Sequence, residues 1–365
     1  TGLGKASQQQ TRMQSSSDKY WFDEAAAGKA VDFIEKFCTH VKGELGGKPF
    51  LLEDWQKDDI IRPLFGWKDA NGLRRYRTCY VEIPRKNGKS NLSAAIALYM
   101  LFADGEPGAE IISAAGDRGQ ANIVFDIARD MIGNNRHLTQ RARVLRNVIK
   151  YKSSWYKSIS AEAYTKHGLN CHAVIFDELH TQPNRELWDV LTTSTGARRQ
   201  PLVMALTTAG HDRASICYEV HEYAEKVRDG IIDDPTFLPV LYCADVDDDW
   251  TQEETWRKAN PGYGSICHKS YFDQAVQNAK ANPSMVNSFL RLHLNIWTSA
   301  ETAWIPDDVW MKGNKPIPYD LLSTLPAYGG LDLASTQDLT AFSLLFRDDS
   351  NDCFYLVVHQ FVNSE

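Results

Sequence analysis

The chain contains no run of about 18 apolar residues, the length a bilayer-spanning helix needs, so no membrane helix is expected in it. Its first residues lack a basic head followed by an apolar stretch, and no secretory signal is expected either. No CxxC pair is present. The seven cysteines (Cys38, Cys79, Cys171, Cys217, Cys243, Cys267 and Cys353) are far apart and odd in number, which fits reduced thiols in a cytoplasmic protein. An excess of positive charge is also missing. The net charge of −7 argues against a surface coated for non-specific nucleic-acid binding, although a local basic patch would still suffice to neutralise phosphates. There is no internal repeat. What remains is an ordinary globular composition, 43% hydrophobic and 24% charged, and 365 residues allow two or three domains.

Residues 1 to about 18 are rich in Gln, Ser, Gly and Thr and read as a mobile tail. Gly28 to Lys42 carries Ala30, Phe33, Ile34, Phe37, Cys38 and Val41 on one helical face. A further helix starts near Glu53. From residue 76 strands and helices alternate. Strands are expected over Tyr76–Ile83, Ala109–Ala114, Cys171–Phe176, Leu202–Thr207 and Phe237–Tyr242. Helices are expected over Lys89–Phe102, Gly119–Met131 and about Ala214–Val227. This alternation predicts an α/β domain on a mostly parallel sheet. After Asp245 an acidic run leads into two or three helices, and Pro306, Pro316, Pro318 and Pro326 mark a linker. Three successive strands follow over 328–333, 341–346 and 354–361, the opening of a new domain within which the sequence stops.

The segment Val81-Glu82-Ile83-Pro84-Arg85-Lys86-Asn87-Gly88-Lys89-Ser90 is a strand, a loop ending Gly-Lys-Ser, and the start of an apolar helix. That is the setting of a phosphate-binding loop: Gly88 admits close backbone approach, and the helix N-terminus faces the anion. Lys89 would reach the β- and γ-phosphates of a nucleotide and Ser90 would hold Mg²⁺. One departure stands out, since Ile83 occupies the place where GxxxxGK[ST] has its first glycine, and the loop is basic at Arg85 and Lys86.

A second motif, Ala173-Val174-Ile175-Phe176-Asp177-Glu178, is an apolar strand ending in two carboxylates. Downstream of a phosphate loop, Asp177 would order Mg²⁺ and Glu178 would polarise the attacking water. Both motifs would lie at the C-terminal edge of one sheet, where open α/β folds bind ligands. Thr208, after the strand Leu202–Thr207, either senses the γ-phosphate or simply starts a turn. Arg118 is either an arginine finger or a surface arginine at a helix start. Gln56 either recognises adenine or belongs to a helix surface. Between His137 and Ser160 lie Arg141, Arg143, Arg146, Lys150, Lys152 and Lys157 with Tyr151, Trp155 and Tyr156 but no acidic residue. That mixture suits nucleic-acid backbone contact or a solvated strand pair.

Taken in order, these segments resemble the large terminase subunits of tailed bacteriophages. Pro84–Ser90 is similar to their deviant Walker A loop, Asp177–His180 to their Walker B end, and Thr207–Gly210 to their coupling motif. Trp55-Gln56 is similar to their adenine-reading segment. Phe289-Leu290-Arg291 with Asn295-Ile296-Trp297 resembles the stretch before their nuclease. Leu331–Ser335 with Asp338–Ala341 resembles the opening of that nuclease. The resemblance covers about residues 45–345. It implies an ASCE-type P-loop ATPase, a helical lid and a ribonuclease H-like nuclease. The implied layout is a tail and N-terminal helix over 1–45, the ATPase over 46–244, lid and linker over 245–325, and a truncated nuclease over 326–365.

The resemblance also implies ATP and Mg²⁺ as cofactors, with Mg²⁺ or Mn²⁺ for the nuclease and Asp332 as its first metal-binding carboxylate. Nucleotide contacts fall on Gln56, Arg85, Lys86, Asn87, Gly88, Lys89, Ser90 and Thr208. The implied catalytic set is Lys89, Glu178, Arg118 and Asp332. Implied partners are double-stranded DNA, a portal protein and a small terminase subunit, in a homo-oligomeric ring in the host bacterial cytoplasm. Two alternatives are a superfamily 2 DExH helicase, which needs a second ATPase domain, and a catalytically weak docking or scaffold ATPase.

Overall fold

The computed structural model describes residues 19–161, 168–298, 307–333 and 340–361; the expected tail over 1–18 and Asp338 lie outside the described residues. Two compact units are present, Thr1–Trp304 and Ile305–Glu365.

In the first unit a short antiparallel pair, β1 (Tyr20–Phe22) and β2 (Trp67–Asp69), stands apart from an eight-stranded sheet. The sheet comprises β3 (Thr78–Glu82), β4 (Glu110–Ala115), β5 (Arg143–Val144), β6 (Ile149–Tyr151), β7 (Ser154–Ser160), β8 (Ala173–Asp177), β9 (Leu202–Thr207) and β10 (Phe237–Leu241). Their order is β10-β3-β9-β8-β4-β7-β6-β5. From β10 to β7 every pairing is parallel, and β6 and β5 close one edge as antiparallel strands. The runs Cys-Tyr-Val in β3 and Ala-Val-Ile-Phe in β8 are buried throughout, as central parallel strands covered on both faces must be. Strand β9 lies between β3 and β8, the additional strand of the ASCE arrangement expected above.

Helices cover both faces. The first, α1 (Glu24–Phe37), starts earlier than its apolar periodicity suggests because Asp23 caps it, accepting from the Ala26 N–H at 2.9 Å. It packs with α2 (Lys89–Phe102) and α3 (Arg118–Gly133) in one apolar core. On the opposite face α4 (Glu186–Thr193) and α5 (Ile216–Arg228) supply a second core. Beyond β10, α6 (Glu253–Ala259), α7 (Lys269–Ala281) and α8 (Val286–Leu294) form a small helical segment, termed the lid, around Trp256, Phe272, Phe289 and Leu294.

The second unit holds a three-stranded antiparallel meander, β11 (Ala327–Asp332), β12 (Thr340–Asp348) and β13 (Cys353–Phe361).

Candidate active site

The phosphate loop is built by the end of β3. Ile83 still donates its N–H to the Thr207 carbonyl at 3.0 Å, so the position where the standard motif has glycine is here a buried continuation of the strand. The chain then turns sharply. Lys86 has φ 69° and Gly88 φ 81°, and Gly88 opens α2. At Gly88 a side chain would strain the backbone, which is where the motif's remaining glycine is needed. Lys89 is buried and folds back on the loop, donating to the carbonyls of Ile83 at 3.0 Å and Pro84 at 3.3 Å.

The lid clasps this loop from the other side. Buried Asn87 donates to Asn260 Oδ1 at 2.9 Å and accepts from the Gly262 N–H at 3.2 Å. The Cys267 thiol donates to the Lys86 carbonyl at 3.1 Å, and the Arg85 N–H to the Leu292 carbonyl at 2.9 Å. The Arg85 and Lys86 side chains remain exposed, free to meet an anion. Asn260, Gly262 and Cys267 carry no recognisable motif, and only the fold reveals their role.

The two carboxylates at the end of β8, Asp177 and the following Glu178, face this loop. Asp177 Oδ2 accepts from Ser90 Oγ at 3.4 Å, while Asp177 Oδ1 is buried with no hydrogen-bond partner. A hydroxyl and an orphaned carboxylate oxygen at one point are the hard oxygen donors that Mg²⁺ takes, so the residues present fit that ion. Burial, and next the Glu178 charge, raise the Asp177 carboxyl well above its ordinary value; Lys89 and Ser90 oppose them. Such a carboxyl gains most from a cation.

Glu178 has φ 52°, a left-handed conformation that costs a non-glycine residue about 1–3 kcal/mol. Its carboxylate lies 3.4 Å from Lys89 Nζ, accepts from the Thr208 N–H at 3.2 Å and Thr208 Oγ1 at 3.4 Å, and lies 3.3 Å from His180 Nδ1. Burial raises its pKa, but Lys89, His180 and Thr208 together outweigh burial and hold Glu178 below the usual carboxylate range. The group is therefore held ionised and fixed in direction, the state that general-base work requires.

Of the other sequence-predicted residues, Gln56 and Thr208 join the site. Gln56 is buried in a π-helical turn, Gln56–Ile61, of a kind that recurs at functional sites. Its Nε2 has no partner and lies 3.7 Å from where a Cβ on Gly88 would sit. An unpaired buried amide is costly, and a ligand acceptor would satisfy it. Replacing Gln56 by Ala is expected to raise the KM for ATP about tenfold, the loss of one good hydrogen bond, with kcat nearly kept; steady-state kinetics check this.

Arg118 does not join it, and Asp332 belongs to the second unit. Arg118 opens α3 and lines a cavity of about 410 Å³ with Asn122, Trp155 and Lys157, on the β7 side of β4. Asp332 ends β11 in the second unit and is exposed. Among the described residues no group of three or more His, Cys, Asp or Glu is placed to hold a metal. The described residues around Asp332 therefore do not make a two-metal site.

Residues 54–226 match the family model of the terminase large subunit ATPase domain, and residues 231–365 that of the terminase large subunit endonuclease domain. The chain belongs to the terminase large subunit family. It is 32% identical over 331 residues to the large terminase subunit of Enterobacteria phage HK97, covering 88% of this chain and 62% of that protein. Protein YmfN of Escherichia coli (strain K12) is 30% identical over 197 residues, covering 53% of this chain and 43% of its own length. The crystal structure of the HK97 bacteriophage large terminase superposes with a TM-score of 0.66 at 27% identity, over 92% of this chain and 67% of that one. The chain thus spans less than two thirds of the length of the curated relatives it matches. The terminase endonuclease match takes in the segment where a helicase would need its second ATPase domain.

Proposed function

We propose that this chain hydrolyses ATP at the β3–β9–β8 edge and uses the energy to drive double-stranded viral DNA into a procapsid, with an endonuclease in its C-terminal part. One observation carries the reading. Glu178 is held ionised between Lys89 and Thr208, beside a loop built to receive phosphate. In the reaction Glu178 accepts a proton from the attacking water, Lys89 offsets the charge of the β- and γ-phosphates, and Gln56 contacts the base. When bound by Ser90 and Asp177, Mg²⁺ supplies charge neutralisation at the phosphates. Arg118, which lines a cavity with Asn122, Trp155 and Lys157, is proposed to act as a finger on a neighbouring copy in a ring. A portal protein and a small terminase subunit are the proposed partners, and the host bacterial cytoplasm the place of action.

The β5–β6–β7 edge is the proposed DNA contact. Arg143 and Lys150 are cross-strand partners, Lys150 is in turn opposite Trp155, and Lys157 lies over the Trp155 ring at 4.3 Å. Like charges placed opposite one another destabilise a sheet unless a polyanion meets them. Arg141, Arg146 and Lys152, in the adjoining turns, are also exposed. The test is Mg²⁺-dependent ATP turnover with and without duplex DNA, together with DNA affinity across salt concentration. Duplex is expected to stimulate turnover. Arg143→Glu with Lys150→Glu is expected to reduce the slope of log affinity against log salt by about 2, one unit for each phosphate no longer neutralised. Wild-type salt dependence in that variant would place the DNA elsewhere.

A further inference from the structure

The segment leaving the lid touches the loop that holds Glu178 through two side chains, Asn295 and Trp297. Asn295 ends α8 in a left-handed conformation, φ 59°, and is buried. Its Oδ1 accepts from the Ala209 N–H at 2.7 Å, and its Nδ2 donates to the Tyr242 carbonyl at 2.8 Å and to Glu82 Oε1 at 3.4 Å. Trp297 donates its indole N–H to the same Glu82 carboxylate at 3.2–3.3 Å. Glu82 is buried at the end of β3 and also takes the Tyr80 hydroxyl at 2.6 Å and His221 Nδ1 at 3.0 Å, so it is a fixed anchor.

From this anchor two short routes reach Glu178 Oε2. Asn295 holds Ala209, and the adjacent Thr208 donates to Glu178 by backbone and hydroxyl. Trp297 packs on Gly210 so closely that a Cβ there would lie 2.8 Å from the indole Cζ3 and 3.5 Å from the His180 Cβ, and His180 is the other neighbour of Glu178 Oε2. The lid also grips the phosphate loop through Asn260, Gly262 and Cys267, and Asn260 donates to the His293 carbonyl at 2.8 Å, two residues before Asn295. The lid therefore spans from the loop that receives phosphate to the loop that aims the base.

We propose that Asn295 and Trp297 are positioning residues for ATP hydrolysis: the lid's C-terminal end holds the Thr207–Gly210 loop and so sets the aim of the Glu178 carboxylate. The inference rests on the reading of Glu178 as the group that activates water. A displacement of about 1 Å at a reacting group costs on the order of 10²-fold in rate, so small shifts of this loop matter. Because these side chains act on Glu178 and not on the bound nucleotide, removing them is expected to change kcat and not KM.

The test uses Asn295→Gly, Gly210→Ala, Trp297→Phe and the pair Gly210→Ala with Trp297→Phe in the purified chain. Glycine keeps the left-handed backbone and deletes only the amide. Alanine at 210 pushes on the indole, and phenylalanine at 297 lacks the ring atoms it meets. Asn295→Gly and Gly210→Ala are each expected to lower kcat about 10- to 100-fold with the KM for ATP within about twofold. Adding Gly210→Ala to Trp297→Phe is expected to cost far less in kcat per folded molecule than adding it to wild type, the coupling of two residues in contact; counting only folded molecules separates this from a loss of stability. Wild-type kcat in folded Asn295→Gly would overturn the proposal. Should that variant not fold, equal costs of Gly210→Ala in both backgrounds would do the same. Absence of Mg²⁺-dependent turnover in wild type would remove the Glu178 reading and this inference together, whereas normal turnover in every variant would remove the inference alone.

Discussion

Replacing Glu178 by Gln is expected to lower ATP turnover about 10²- to 10⁴-fold, the range that a positioned general base contributes, while nucleotide still binds. Glutamine keeps the size of the side chain and can still accept from Thr208, which donates at 3.2 Å and 3.4 Å. It cannot take a proton from water. It also removes the anion 3.4 Å from Lys89. Burial lowers the Lys89 pKa, and Glu178 and Asp177 work against that; with Glu178 neutral, Lys89 keeps less of its support. The binding loop itself, clasped by Asn260 and Gly262, is untouched. Turnover falling with affinity for ATP retained within a few-fold is therefore the expected signature. Steady-state kinetics beside nucleotide titration read it directly, and turnover near the wild-type rate would remove Glu178 from the chemistry.

A second large effect is expected in stability, at a site far from any sequence motif. Arg74 is fully buried and pairs through its two terminal guanidinium nitrogens with Asp104, at 3.1 Å each, and with the Gln200 carbonyl at 2.7 Å. His172 Nε2 lies 2.6 Å from the same aspartate. Asp104 follows α2, so this cluster fixes the far end of the helix that begins at the phosphate loop. Asp104→Asn leaves a buried guanidinium without its counter-charge and is expected to cost about 3–5 kcal/mol of unfolding free energy. Adding Arg74→Met should recover much of that loss, because a packed apolar side chain can replace a buried pair.

The pH dependence of this pair has a definite sign. Burial pushes the Asp104 carboxyl up, but Arg74 and the hydrogen bonds from His172 and Arg74 outweigh it and hold it far below the ordinary carboxylate range. Its contribution is thus fully present above the unfolded-state value of about 3.9 and is lost as pH falls below it. The gap in thermal midpoint between wild type and Asp104→Asn should accordingly narrow as pH drops below about 4, as calorimetry would show. A gap that widened on acidification would contradict the pairing.

The elements that were legible in the sequence are those whose signals are local. The helix Lys89–Phe102 and the strand Leu202–Thr207 stand where composition placed them, because a dense apolar run bounded by Gly88 or by threonines leaves little choice. Asp177 and Glu178 were readable for the same reason, as charges at the end of an all-apolar strand. The first helix began earlier than its periodicity suggests, since Asp23 caps it ahead of the apolar stripe.

Partners distant along the chain left no local trace. Asn87 meets Asn260 across 173 residues, and Asn295 meets Glu82 across 213. Each looks like an ordinary polar residue until the sheet order brings them together. Ile83 shows the reverse case: it departs from the motif in sequence, yet its N–H simply extends the ladder to Thr207. The place of Arg118 was likewise beyond local reading, because it depends on β7 lying beside β4.

Hydrolysis of ATP at the edge holding Lys89, Ser90, Asp177 and Glu178 is the central claim. The most direct test is Mg²⁺-dependent phosphate release by the purified chain with duplex DNA present, comparing wild type with Lys89→Ala. Steady release by wild type, abolished by the substitution or by chelating Mg²⁺, is the predicted result. Release that survives Lys89→Ala, or that never requires Mg²⁺, would contradict it.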